Sequence, residues 1–194
     1  MALTWEELIN ECRKCKRCSL ARGRSNVVIG RGNIDAPIIL IGEGPGEQED
    51  RQGRPFVGPA GQLLDLLLSA LMFREEDYYI ANIVKCRPPG NRVPTEDEAN
   101  KCLVFLREQV KLIQPAIIVC MGSTAAKYIL KDKNIRITRA RGQWVERKGF
   151  SIMPTFHPAA LLRDESKKEL MWGDFKKVRQ KFDMLDKGIR AEDG

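Results

Sequence analysis

The chain has 194 residues, of which 43% are hydrophobic and 30% charged, the balance of an ordinary globule with one domain. Lys and Arg outnumber Asp and Glu by 33 to 26, giving a net charge of +7, which favours a polyanionic partner such as nucleic acid. No apolar run reaches membrane-spanning length and the N-terminus has no apolar signal core, so an intracellular, cytoplasmic protein without membrane contact is expected.

Thr4-x-x-Glu7 is a capping box and predicts a first helix near Trp5. Pro37 to Ile41 is a short apolar run that predicts a strand. Residues 42–60, which include GEGPGEQED, are rich in Gly, Pro and charge and predict a loop. From Gly61, GQLLDLLLSALMF predicts a buried helix, and YYIANIV, Tyr78 to Val84, a second strand. KCRPPGNRVP holds three prolines and cannot be helical. Thr95-x-x-Glu98 caps a helix to about Ile113, AIIVC follows as a strand, and Ser123 is expected to cap a short helix. QWVERKGFSIM, residues 143–153, alternates around Lys148-Gly149 as a hairpin does. A charged helix from about Lys167 closes the domain, and residues 186–194 are expected to be a frayed tail.

Alternation of apolar strands with helices predicts a mostly parallel sheet covered on both faces. Ligands of such sheets bind beyond the carboxyl ends of the strands. The three loops GEGPGEQED, KCRPPGNR and FHPAALLR are therefore expected to meet in one crevice.

Six cysteines in an intracellular chain argue for a metal or cluster site, or buried thiols, rather than disulfides. Cys12, Cys15 and Cys18 are spaced C-x2-C-x2-C, while Cys86 and Cys102 follow later. Two thiolates from one turn plus two from elsewhere make a four-sulfur shell, suited to zinc or an iron–sulfur cluster. A single histidine excludes a Cys2His2 zinc site. Spacing leaves Cys12 and Cys18 equivalent. Cys120 ends an apolar strand and reads as a packed core residue.

GEGPGEQED, GRPFVGPAGQLLD, NIVKCRPPGNR and FHPAALLR, in that order, together resemble the family 4 uracil-DNA glycosylases, the iron–sulfur members of that superfamily. The resemblance implies an α/β fold of three α/β/α layers around a central, mostly parallel four-stranded sheet. It also implies one domain across 1–194, a cluster-binding segment at 1–36, and a structural [4Fe-4S] cluster. By register with VVIGRGN, the implied ligands are Cys15, Cys18, Cys86 and Cys102, with Cys12 spare. The implied activity is excision of uracil from single- or double-stranded DNA, with water as nucleophile and an abasic product. A sliding clamp or other repair proteins are implied partners, and a monomer is expected. The competing reading is a non-catalytic iron–sulfur protein of the same fold that binds DNA. A branch that traps DNA covalently carries a basic insertion before the histidine motif, which GFSIMPTFHP does not show.

Uracil must leave the stack to be cut, so the site needs a platform and an amide that reads the base edge. Phe56 resembles the stacking residue. Asn82 sits in an apolar strand, where an amide is costly unless bonded, and it matches uracil N3–H and O4. His157 resembles the histidine that faces uracil O2 and stabilises the departing anion. Glu43 resembles the catalytic carboxylate that positions or deprotonates water, while other branches carry Asp where this chain has Gly44. Glu49 is expected to bond loop backbone, and Asp50 to be solvated. Amides of Gly44, Gly46 and Gly58 and the side chains of Arg54, Lys85, Arg87 and Arg92 are expected at phosphates, with Arg139, Arg141, Lys167 and Lys168 widening the basic face. Leu161 or Leu162 is expected to wedge into the gap left by the flipped base, with Arg163 on a phosphate. If this basic face tracks phosphates, DNA affinity falls with a log–log salt slope of about −0.9 per neutralised phosphate. A flat dependence in fluorescence anisotropy titrations contradicts a DNA-facing surface.

Overall fold

The computed structural model describes residues 3–192, with side chains described through Leu185. Its elements in chain order are α1 (Trp5–Lys14), β1 (Arg31–Gly32), β2 (Ile38–Gly42), α2 (Glu47–Gln52), α3 (Pro59–Ala70), β3 (Tyr78–Asn82), α4 (Glu96–Ile113), β4 (Ile117–Met121), α5 (Ser123–Leu130), α6 (Ile137–Ala140), β5 (Val145–Arg147), β6 (Phe150–Thr155), α7 (Pro158–Arg163) and α8 (Lys167–Glu192). Both capping boxes form as expected: Thr4 with Glu7 opens α1, and Thr95 with Glu98 opens α4.

The sheet order is β1-β3-β2-β4-β6-β5. Four strands, β3, β2, β4 and β6, run parallel, and they are the four-stranded centre expected from the sequence. β1 and β5 add short antiparallel edges, so the whole sheet has six strands. β1 was not expected, because two residues are too few to leave an apolar pattern. β5 and β6 form the hairpin expected around Lys148-Gly149.

β2, β3 and β4 are buried along their whole length. Their alternate side chains feed two cores. One core, with Ile39, Ile41, Cys120 and Leu106, packs toward α1, α4 and α5, and the other, with Ile38, Leu40, Leu64 and Phe175, toward α3 and α8. Helices therefore cover both faces in three layers. Cys120 is fully buried in β4, as expected of a packing residue.

Three local expectations change. Residues 47–52 form α2 within the stretch read as loop, with acidic Glu47, Glu49 and Asp50 in its first turn, where they complement the helix dipole. Gly122 rather than Ser123 caps α5. The backbone of α8 stays helical to Glu192, past the expected start of a tail at 186, while Asp193 and Gly194 lie outside the described residues.

Asp50 is a further correction. It is 4% exposed, not solvated, and its carboxylate accepts from the backbone N–H groups of Ser25 and Asn26. The Asn26 side chain donates back to Asp50 O at 2.8 Å. This exchange fastens the cysteine-bearing N-terminal segment to α2. Asp50→Ala removes the buried carboxylate that accepts from two backbone N–H groups and is expected to lower stability by about 2 kcal/mol in denaturant unfolding, with Asp50→Asn losing less. No change for Asp50→Ala contradicts the anchoring role.

Candidate active site

Residues just beyond the carboxyl ends of β2, β3, β4 and β6 line one cleft of about 760 Å³. The three loops expected to converge do so, and a fourth, Gly122 to Thr124 after β4, joins them. The backbone carries the parallel ladder past the strand ends: Ile83 N–H donates to Gly42 O at 3.0 Å and Val84 N–H to Glu43 O at 3.1 Å. Glu43 and Asn82 are thereby held side by side at the cleft floor.

Asn82 is 2% exposed, and its Oδ1 has no hydrogen-bond partner. A carbonyl oxygen left unbonded at this depth costs about 1–3 kcal/mol, and it can accept from a donor that enters the cleft. Gly42 lies beneath it. A Cβ there would overlap Asn82 Oδ1 and meet the Phe56 ring at 2.7 Å, so glycine is required for the two to sit this close.

Phe56 adopts φ +54, a left-handed conformation uncommon for a non-glycine residue. Its ring stacks on the His157 imidazole with centroids 5.5 Å apart and planes 30° from parallel. Phe56, Asn82 and His157 line one slot of the cleft with a ring, an imidazole and an unbonded acceptor, groups that suit a planar heterocycle with an N–H on its edge.

His157 caps α7, and its Nδ1 accepts from Ala159 N–H at 3.1 Å. The remaining ring proton of the neutral imidazole is then on Nε2. Burial, assisted by the Arg163 charge, pushes the His157 pKa down to about 4. The ring is thus neutral near pH 7 and acts as an N–H donor rather than a cation.

Glu43 accepts a hydrogen bond from Thr124 Oγ1. Thr124, in the first turn of α5, was missed in the sequence because nothing near GSTAA marks it apart from helix-starting residues. Gly44 lines the cleft, where a Cβ would press Val84 Cγ2 at 2.7 Å. The other acids of GEGPGEQED are occupied. Glu47 pairs with Arg51 at 2.5 Å and Arg87 at 3.4 Å. Glu49 Oε1 accepts from Val57 and Gly58 N–H, both at 2.9 Å, as expected of a loop brace. The Gly58 amide is therefore committed to Glu49 and is not free for a phosphate.

Several expected DNA contacts change. Lys85 is 1% exposed, and its Nζ donates to Asn82 O at 2.9 Å and Gln109 Oε1 at 2.5 Å, so it cannot meet a phosphate. Leu161 is 2% exposed within the α3–α8 core, which excludes it as a wedge, whereas Leu162 is 54% exposed. Helical geometry turns adjacent residues to different sides, and the α7 helix was not visible in FHPAALLR. Arg54 is exposed outside the cleft lining, and Arg163 is exposed at its rim. Arg87 is held by Asn91 and Glu47. Arg92 is held by a two-pronged contact to Glu98. Arg141 pairs with buried Asp174 rather than widening the basic face.

A second, smaller cavity lies on the other side of Lys85. Cys12, Cys15, Cys18, Cys86 and Cys102 all line it, with Arg24 and Lys85. Arg24 Nη1 donates to Cys86 Sγ at 3.3 Å, and Lys85 N–H to Cys102 Sγ at 3.2 Å. Burial pushes the Cys12 thiol up to about 12 and that of Cys102 up to about 11, against the pull of Lys85. Among the described residues, no three Cys, His, Asp or Glu side chains converge closely enough to hold a single metal ion. The donor set, the N–H groups aimed at sulfur and the buried cation suit a group held by several thiolates.

The fold places a carboxylate, an amide and a histidine beyond the carboxyl ends of a parallel sheet, where ligands of open α/β proteins bind. A model of the uracil DNA glycosylase superfamily matches residues 29–181, and the chain belongs to that superfamily. Within it, the chain is 48% identical to a type-4 uracil-DNA glycosylase of Thermotoga maritima over 162 residues, 82% of this chain and 84% of that protein. It is 42% identical to a type-4 enzyme of Sulfurisphaera tokodaii (90% of this chain, 83% of that protein) and 41% to one of Archaeoglobus fulgidus (89% and 90%).

His157 is the sole histidine, which makes its titration directly readable. Its ring resonances are expected to stay unchanged by NMR from about pH 8 to about pH 5, because the folded pKa lies below the ordinary value near 6.5. Since the unfolded chain takes up this proton first, stability contributed by the neutral ring is present above about 6.5 and is lost as pH falls toward about 4. A folded-state midpoint near 6.5 contradicts the buried, neutral ring.

Proposed function

We propose that the protein is a DNA repair glycosylase that flips uracil into the cleft and hydrolyses its N-glycosidic bond, leaving an abasic site. The observation that carries this reading is the unpartnered Oδ1 of Asn82 at the end of the Phe56–His157 slot. Uracil N3–H supplies the missing donor, and uracil O4 accepts from the Asn82 amide nitrogen. Cytosine presents an acceptor at N3 and donors at N4, which leaves Oδ1 facing a lone pair. Phe56 stacks on the base and His157 Nε2–H donates to O2.

Glu43 is the reacting carboxylate, and Thr124 orients it through the hydrogen bond described above. The C1′–N1 bond breaks with its electron pair going to N1, and the uracil anion is stabilised by the neutral His157 donor. Glu43 offsets the positive charge that grows on the sugar and takes a proton from water as the water oxygen bonds to C1′. Leu162 fills the space vacated by the base, and Arg163 and Arg54 hold phosphates.

Cys15, Cys18, Cys86 and Cys102 are the proposed ligands of a [4Fe-4S] cluster, with Cys12 as a fifth, neighbouring thiol. When bound, the cluster supplies a structural cross-link between α1, α4 and the loop after β3, and takes no part at the glycosidic bond. Among the described residues no helix is long and apolar enough to cross a membrane. A cytoplasmic monomer acting on single- or double-stranded uracil-containing DNA, with a sliding clamp or other repair proteins as candidate partners, completes the proposal.

The protein is expected to release uracil from a labelled oligonucleotide and to carry iron with visible absorbance. Glu43→Gln is expected to slow single-turnover excision about 10²- to 10⁴-fold while leaving oligonucleotide binding nearly intact. Full excision by Glu43→Gln removes that residue from the mechanism, and DNA binding without excision by the unaltered protein favours the non-catalytic reading.

A further inference from the structure

Lys85 is among the largest fully buried side chains of the described residues. A buried ammonium is expensive unless it is paired. Among the described residues, no carboxylate supplies that pairing. Its Nζ is bonded to two neutral oxygens, Asn82 O at 2.9 Å and Gln109 Oε1 at 2.5 Å. It lines the same cavity as Cys12, Cys86 and Cys102. Its own backbone N–H donates to Cys102 Sγ.

Gln109 is fixed in turn. Its Nε2 donates to Ile29 O at 3.0 Å and to Tyr79 OH at 3.3 Å, so its Oε1 is held toward the ammonium. Lys85 O accepts from Val28 N–H at 2.8 Å, which fastens the backbone at the same point. One residue thus touches the main chain of the base-reading residue and also borders the thiol cavity.

Resting on the uracil-reading role proposed for Asn82, we infer that Lys85 is a positioning residue joining the cysteine cavity to the base slot: it balances the charge of a thiolate-bound group on one side and fixes the Asn82 carbonyl on the other. A thiolate-bound cluster is anionic and buried beside this cation, so each stabilises the other. The same ammonium pins the last residue of β3, which keeps the Asn82 amide aimed into the slot. Loss of the bound group then leaves Lys85 uncompensated, loosens residue 82 and weakens base binding without any change at Glu43 or His157.

Lys85→Met keeps the length of the stem and removes the charge. Three measurements on the purified holoprotein decide the matter: the rate at which visible absorbance is lost to an iron chelator, inhibition by free uracil, and affinity for a uracil-free oligonucleotide. The variant is expected to lose absorbance about tenfold faster and to need about tenfold more uracil for inhibition, the usual scale for changes next to a metal site. Affinity for the plain oligonucleotide is expected to stay within about twofold, since Lys85 touches no phosphate-facing surface. Unchanged chelator resistance and uracil inhibition would show that Lys85 only fills space. Faster loss with unchanged uracil inhibition would overturn the link to Asn82. If Lys85→Met does not fold, Gln109→Leu removes one acceptor from the ammonium away from thiols and cleft; smaller shifts in the same two readouts support the link, and none overturns it. If the unaltered protein neither excises uracil nor is inhibited by it, the reading of the cleft fails, while the chelator measurement still judges Lys85 beside the thiols.

Discussion

A buried side-chain oxygen with no protein partner, at the floor of the cleft, is the constraint around which this molecule is organised. Asn82 ends a fully buried strand, and its side-chain oxygen has no hydrogen-bond partner. Its neighbours fix the space around it. Gly42 gives up its side chain so that the amide has room. Phe56 is held at a left-handed φ so that its ring closes the slot. Lys85 donates to the Asn82 main-chain carbonyl, which fixes the backbone from which the side chain projects. An unsatisfied group of this kind lowers the stability of the empty protein and is tolerated because a ligand can complete it.

The acidic glycine turn after β2 follows from the same need for fixed geometry. Four carboxylates in GEGPGEQED look misplaced on a basic chain, yet three of them hold structure. Glu49 braces the loop that carries Phe56, Asp50 anchors the N-terminal segment, and Glu47 ties α2 to Arg51 and Arg87. That division leaves Glu43, tethered by Thr124, as the acid of this turn available for the catalytic role proposed for it. A charge that serves one atom in a cleft does not conflict with a net positive surface that holds a polyanion, because the two act over different distances.

Much of the site could be read before the fold. His157 and Asn82 stand out by chemistry, as a sole histidine and an amide in an apolar run, and the spaced cysteines announce a common site. What could not be read was the direction each side chain takes. Lys85 and Leu161 lie within motifs that suggest DNA, and both point inward. Lys85 follows a strand whose register turns it toward α4, and Leu161 lies on the inner face of a one-turn helix hidden in FHPAALLR. Asp50 looks like a surface acid in a charged loop, but partners 24 and 25 residues earlier in the chain bury it.

The sequence by itself determined the strand–helix order, the capped helix starts, the parallel centre of the sheet and the residue types that carry chemistry. These depend on hydrophobic period, capping pairs and side-chain functional groups, all local properties of the chain. Only the tertiary structure decided which polar groups are bonded and which are left bare. It joined Thr124 to Glu43, stacked Phe56 on His157, gathered five thiols on one cavity and set Lys85 between that cavity and Asn82. Each of these contacts joins residues brought together by packing of separate elements, and no local pattern records which partner packing will supply.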